Sequence, residues 1–139
     1  MKLILSSASA MIARFDPGEE LITGLARFAD EKNIGAAALS GIGSAAEVEL
    51  GYYDVAAKEY RKKVFPEKME LVGLSGNISV LNGEKSVHLH GAFSREDYGM
   101  VGGHVHRLVV SATVEVVIEI FSATVTRRKS EETGLNLMD

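Results

Sequence analysis

No cysteine occurs among the 139 residues, which excludes disulfides and thiolate metal sites alike. No apolar run approaches the length that crosses a bilayer, and Met1 to Ser9 has an apolar centre without the architecture of a cleavable signal. A cytoplasmic protein with no membrane partner is therefore expected. Proline is nearly absent too: Pro17 suits the first turn of a helix, and Pro66 ends a strand. Positive charge is in deficit, with 15 Lys and Arg against 19 Asp and Glu and a net charge of −4. Duplex DNA is held mainly by phosphate neutralisation, so this balance argues against autonomous DNA binding. Two basic triplets, Arg61-Lys62-Lys63 and Arg127-Arg128-Lys129, are the places where phosphate contacts would have to form; runs this short more often lie at solvated strand ends. Without repeats, linkers or low-complexity segments the chain reads as one domain, large enough to bury a core without staples.

What the sequence does have is histidine in one place. All four histidines fall between Val87 and His106, as His88 and His90, then His104 and His106. A spacing of two puts both members of a pair on one face of a strand. The glycine-rich segment between the pairs, with Gly99, Gly102 and Gly103, can turn the chain and bring them together. Clustered neutral imidazoles are ligands for zinc and similar divalent transition metals. Histidines at strand ends also serve as ordinary hydrogen-bonding residues.

The remaining pattern specifies an α+β domain, mostly antiparallel sheet with one main amphipathic helix. Lys2 to Arg14 opens as a strand. Asp16-Pro17-Gly18-Glu19 predicts a helix start with Asp16 as cap and Glu19 reaching back. Leu21, Ile22, Leu25, Phe28 and Ala29 then form an apolar stripe over about four turns. Ile34 to Ser40 reads as a buried strand broken by Gly41-Ile42-Gly43-Ser44, which lacks the lysine and following helix of a phosphate loop. Val48, Leu50 and Tyr52 mark a strand paired with Glu59 to Phe65, on which Tyr52, Tyr53 and Tyr60 are expected to pack along the sheet. Met69 to Leu81 continues as a strand with bulges or close approaches at Gly73 and Gly76, and Asn82-Gly83 turns it into Val87 to Phe93. There Val87, Leu89 and Phe93 face the core, leaving His88 and His90 on the other side, exposed to solvent or to another subunit. Leu108 to Ile120 alternates as a central strand. Carried back by parity, that alternation puts His104 and His106 on the apolar side unless a bulge resets the register. Residues 127–139 read as a polar C-terminal tail following a domain of residues 1–126.

Pro17-Gly18-Glu19, Ser40-Gly41-Ile42-Gly43, Leu74-Ser75-Gly76-Asn77-Ile78, His88-Leu89-His90 and Gly102-Gly103-His104-Val105 occur in an order that resembles the plant-and-prokaryote conserved (PPC) domain, a family also described as PD1-like DNA-binding proteins. The resemblance runs from about Ile12 to Phe121. It implies a homotrimer and, in prokaryotic members, a three-histidine metal site, here His88, His90 and His104, with His106 as a fourth ligand, a supporting residue or a bystander. The AT-hook of the plant branch is missing.

Three functions follow from these features. The first is a trimeric metal-binding domain with a regulatory or assembly role, recruiting a protein partner or small ligand. The second is direct DNA binding through the basic triplets. The third is a zinc-dependent enzyme with Glu96, Asp97 or Glu115 as base, for which no H-E-x-x-H or nucleophile motif is present. Metal affinity in any of them is expected to fall as pH drops through about 6.5, because the imidazoles must be neutral.

Overall fold

The computed structural model describes residues 1–139. Its strands are β1 (Lys2–Ser6), β2 (Ala10–Phe15), β3 (Ala37–Asp54), β4 (Glu59–Phe65), β5 (Met69–Leu81), β6 (Glu84–Ser94), β7 (Met100–Ile120), β8 (Thr126–Lys129) and β9 (Asn136–Met138), with a single helix, α1 (Leu21–Glu31). All strands join one sheet in which β1, β2, β7, β3, β5, β8 and β9 are successive neighbours, while β4 pairs with β3 and β6 pairs with both β5 and β7. Because β3 also bonds to both β5 and β7, strands β3, β5, β6 and β7 close on themselves. Closure satisfies the inner strands on both sides and leaves no open edge among them. Every pairing is antiparallel except β5 with β8.

The core is one contiguous cluster in which Phe15, Leu21, Leu25, Phe93, Leu108 and Ile118 are fully buried. The helix contributes the face foreseen from its stripe, with Leu21, Leu25, Phe28 and Ala29 buried. Its start differs from the expected one. Glu20, not Asp16, is the cap, and its carboxylate accepts from the amides of Ile22 (3.1 Å) and Thr23 (2.8 Å). The residues before it are held by β7 instead: the Gly18 amide donates to the Val110 carbonyl and the Val110 amide to the Glu19 carbonyl, each at 3.0 Å. Backbone committed to a strand cannot also enter a helix. The Glu19 carboxylate does reach back to the Asp16 amide (2.8 Å), closing a turn there.

Three further expectations are corrected. Gly41 to Ser44 does not end the third strand; β3 runs through it, absorbing the irregularity as a register shift between Gly41 and Gly43 against β5. Likewise Gly102 and Gly103 are not a turn but lie within β7, which begins at Met100; the reversal falls at Arg95 to Gly99, where the Arg95 amide donates to the Gly99 carbonyl (2.9 Å). The hairpins at Val55 to Lys58 and Asn82-Gly83 occur as expected, the latter with φ of 52° and 87°, the left-handed pair that a two-residue hairpin demands. The C-terminal residues, expected to be loose, form β8 and β9 and extend the sheet beyond β5.

Candidate metal centre

The histidine pairs reach one another because β6 and β7 are antiparallel neighbours in which His90 and His104 are direct partners. Leu89 and Phe93 point into the core with no exposure, so His88 and His90 take the outer face. The question left open by parity, on which side His104 lies, is decided by a bulge. Glu49 pairs with Arg107 but the next residue of β3, Leu50, pairs with Val105, leaving His106 as an extra residue in β7. Leu108 and Val105 are therefore both buried although three apart, and His104 emerges on the face of His88 and His90.

One ligand nitrogen from each of His88, His90 and His104 can be chosen so that all three lie within 4.8 Å of one another. Their rings are packed at centroid separations of 4.9 Å (His88 and His104), 5.2 Å (His88 and His90) and 5.4 Å (His90 and His104). His106 lies outside this triangle. Its ring sits 4.5 Å from that of His104 and meets Tyr60 edge-on at 4.7 Å. The room for it comes from Gly51: a Cβ there would stand 2.5 Å from His106 Nε2 and 2.8 Å from the Tyr60 ring. Tyr60 thus backs both His104 and His106, at 4.9 Å from the former, besides packing on its strand partner Tyr53.

Burial disfavours the charged form of His88, His104 and His106. His104 is pushed down to about 3, first by desolvation and then by His106, His88, His90 and Lys62. Desolvation, then the charges of Arg127 and His90, lowers His88; desolvation and Lys62 lower His106 against the opposing pull of Glu49. Burial and Tyr53 raise the Tyr60 phenol, with Arg127 acting the other way. The buried His104 Nδ1 and His106 Nε2 have no hydrogen-bond partner in the protein. A depressed imidazole pKa means that the unfolded chain takes up protons which the fold refuses. That stability is complete above the ordinary value of about 6.5 and is lost as pH falls from there toward 3. Metal-free protein should accordingly melt at progressively lower temperature between pH 7 and pH 4.5, and His104→Asn should flatten the profile in the same calorimetric series.

The carboxylates considered as catalytic bases are elsewhere. Glu96 and Asp97 are exposed in the reversal beyond the paired ends of β6 and β7, where Asp97 accepts from the Gly99 amide (2.8 Å). Glu115 lies opposite Ile42, eleven residues along β7 from His104. The basic triplets are largely committed internally. Arg61 pairs with Asp54, Lys62 with Glu49 at 3.0 Å, Arg128 with Asp139, and Lys63 lies 4.9 Å over the Phe65 ring. Arg127, read from sequence only as part of a basic run, instead reaches His88 and lines a cleft beside the histidines.

The model of the Plants and Prokaryotes Conserved (PCC) domain matches residues 5–122. The chain belongs to this family. Among solved structures, a PCC-domain chain like this one resembles a Bacteroides thetaiotaomicron protein whose name carries a provisional DNA-binding assignment (30% identity, TM-score 0.94, covering 99% of this chain and 96% of that one). It is also similar to a metal-containing protein from Archaeoglobus fulgidus (32% identity, TM-score 0.87, 99% of each chain). A plant- and prokaryote-conserved protein from Pyrococcus horikoshii is 28% identical with TM-score 0.88, over 99% of this chain and 94% of that one. No curated protein matches the sequence. Beside these relatives the PCC fold of this chain is the expected single domain of antiparallel strands with one helix, and no helix is long and apolar enough to cross a membrane.

Proposed function

We propose that this PCC-domain chain binds one zinc or similar divalent transition metal per protomer through His88, His90 and His104, and acts as a homotrimeric regulatory or assembly protein rather than an enzyme. The observation that carries the reading is the triangle of histidine nitrogens within 4.8 Å. The residues suit the group: three imidazoles form a borderline-soft nitrogen set, and a buried His104 nitrogen lacks a protein partner. The metal-containing relative supports it. When bound, an ion held by three histidines keeps an open position for water or an anion. His106 and Tyr60 support His104 from behind. Because the fold already keeps His88 and His104 unprotonated, acidification toward pH 6 should release metal less steeply than competition by three ordinary imidazoles would. Metal retention after dialysis at stepped pH measures this.

No carboxylate belongs to the triangle, and Glu49, which faces His106, is paired with Lys62, which favours the non-enzymatic reading. A homotrimer fits the apolar residues left on the outer face of the sheet, where Ile42, Val72 and Val117 are exposed. Sedimentation should give a trimer at micromolar concentration, and a stable monomer would remove the proposal.

Direct DNA binding is the second reading, kept because of the provisional assignment of one relative. Each copy in a trimer brings a charge of −4, and three of the six cations in the two triplets already pair with carboxylates. Duplex binding should therefore be weak, indifferent to sequence and lost toward physiological salt. A salt-resistant, sequence-selective shift at about nanomolar protein would put DNA binding first.

A further inference from the structure

Arg127 is a cation without an anion. Its Nε donates to Ser79 Oγ (2.7 Å), Nη1 to the Asn136 carbonyl (2.8 Å) and Nη2 to Asn77 Oδ1 (2.8 Å), with His88 Nδ1 at 3.3 Å from Nη2. Every one of these acceptors is neutral, and no carboxylate comes within ion-pair distance. Ser79 is completely buried, so the guanidinium is fixed in place by the sheet rather than swinging in solvent. It lines a cleft of about 270 Å³ whose other walls include His88, His104, Tyr60, Leu135 and Leu137. Neither a second Lys or Arg nor any acidic residue lines that cleft. A held, unneutralised guanidinium in a partly apolar recess is a carboxylate receptor by the ordinary chemistry of such pairs. The volume lies just below the range typical of drug-sized ligands, so the cleft suits a small occupant.

The contact between Arg127 and His88 adds a constraint. A neutral imidazole has one protonated and one bare nitrogen, and Nδ1 accepts from Arg127 only when bare and free. If a metal takes Nδ1, the lone pair is used. If it takes Nε2, the proton sits on Nδ1. Either way the arginine loses that acceptor, and an Nη2 hydrogen becomes available to a ligand in the cleft.

We propose that the cleft between β6, β8 and β9 binds a small organic carboxylate through Arg127, and that metal loading of the histidine triangle strengthens this binding by releasing Arg127 from His88. The coupling half rests on the metal reading above; the carboxylate half stands without it.

Calorimetric titration with propionate, whose short chain suits the Leu135 and Leu137 wall, tests both halves on the full chain. Zinc-loaded protein should bind propionate about tenfold more tightly than metal-free protein, the worth of roughly one charge-assisted hydrogen bond. Arg127→Gln should lose propionate binding in both forms while keeping its zinc, and Arg127→Lys should retain part of it, with circular dichroism verifying that each is folded. Undiminished propionate binding by folded Arg127→Gln would overturn the proposal, as would no binding by wild-type protein in either form. Tighter binding of inorganic phosphate than of propionate would overturn the carboxylate assignment. Should the wild type take up no zinc, the metal reading and the coupling fall together, and the metal-free titration alone decides the carboxylate site.

Discussion

Replacing His88 and His90 together by alanine is expected to reduce bound zinc from about one ion per chain to none after dialysis. Two of three ligands disappear, and a lone His104 offers one nitrogen to an ion that needs several. Loss of a supporting residue around a metal costs about 10- to 100-fold in affinity; loss of two ligands costs far more. The variant should still fold. Both side chains leave β6 on the face away from the core, whereas Leu89 and Phe93, which seat the strand, are untouched. Elemental analysis of the variant beside the wild type, with circular dichroism as the folding control, checks this. Unchanged metal content would sink the assignment of the triangle.

The largest effect on stability is expected from Phe93→Ala. Phe93 is a fully buried aromatic in the core, and it holds the end of β6 that pairs with β7. Its ring also lies within contact distance of Gly91, where an added Cβ would stand 2.8 Å away, so the surroundings are shaped to it. Truncation of a buried phenylalanine costs about 3–5 kcal/mol, a large part of the roughly 5–15 kcal/mol that holds a domain together. Urea unfolding with an unchanged slope and a much lower midpoint is the expected result. A loss below about 1 kcal/mol would mean that the neighbouring side chains collapse into the space. The same truncation acts on the site, because the pairing of His90 with His104 is anchored by this end of the strand.

Much of this arrangement was legible in the residues. Strict alternation at Val87, Leu89 and Phe93 placed His88 and His90 outside the core, and Asn82-Gly83 set the hairpin that carries them. The pairing of Val48 to Tyr52 with Glu59 to Phe65 was visible for the same reason. What failed was glycine. Gly41, Gly43, Gly102 and Gly103 break a helix or end a strand as readily as they let one strand pass close beside another, and here they do the last. Gly73 and Gly76 are read correctly, since β5 shifts register between Leu71 and Gly73 and a Cβ at Gly76 would strike the His88 carbonyl. The helix start was misplaced because the amides of Gly18 and Val110 found partners across a long sequence separation, which local cap signals do not contain. Arg127 was missed as a member of the site for a similar cause: only the parallel pairing of β8 with β5 brings it to His88, 39 residues away.

The extra residue at His106 makes the centre depend on counting rather than on chemistry. Upstream of it, each β7 side chain faces the way it does because one position is spent without a partner. Substitutions at 106 leave that count intact, and with it the face from which His104 emerges. A deletion there would exchange the two faces of the strand's first half, turning His104 inward and Val105 outward without altering either residue. Insertions and deletions, not replacements, are thus the changes to which this strand is least tolerant, and length between Val105 and Leu108 is as much a part of the site as the imidazoles.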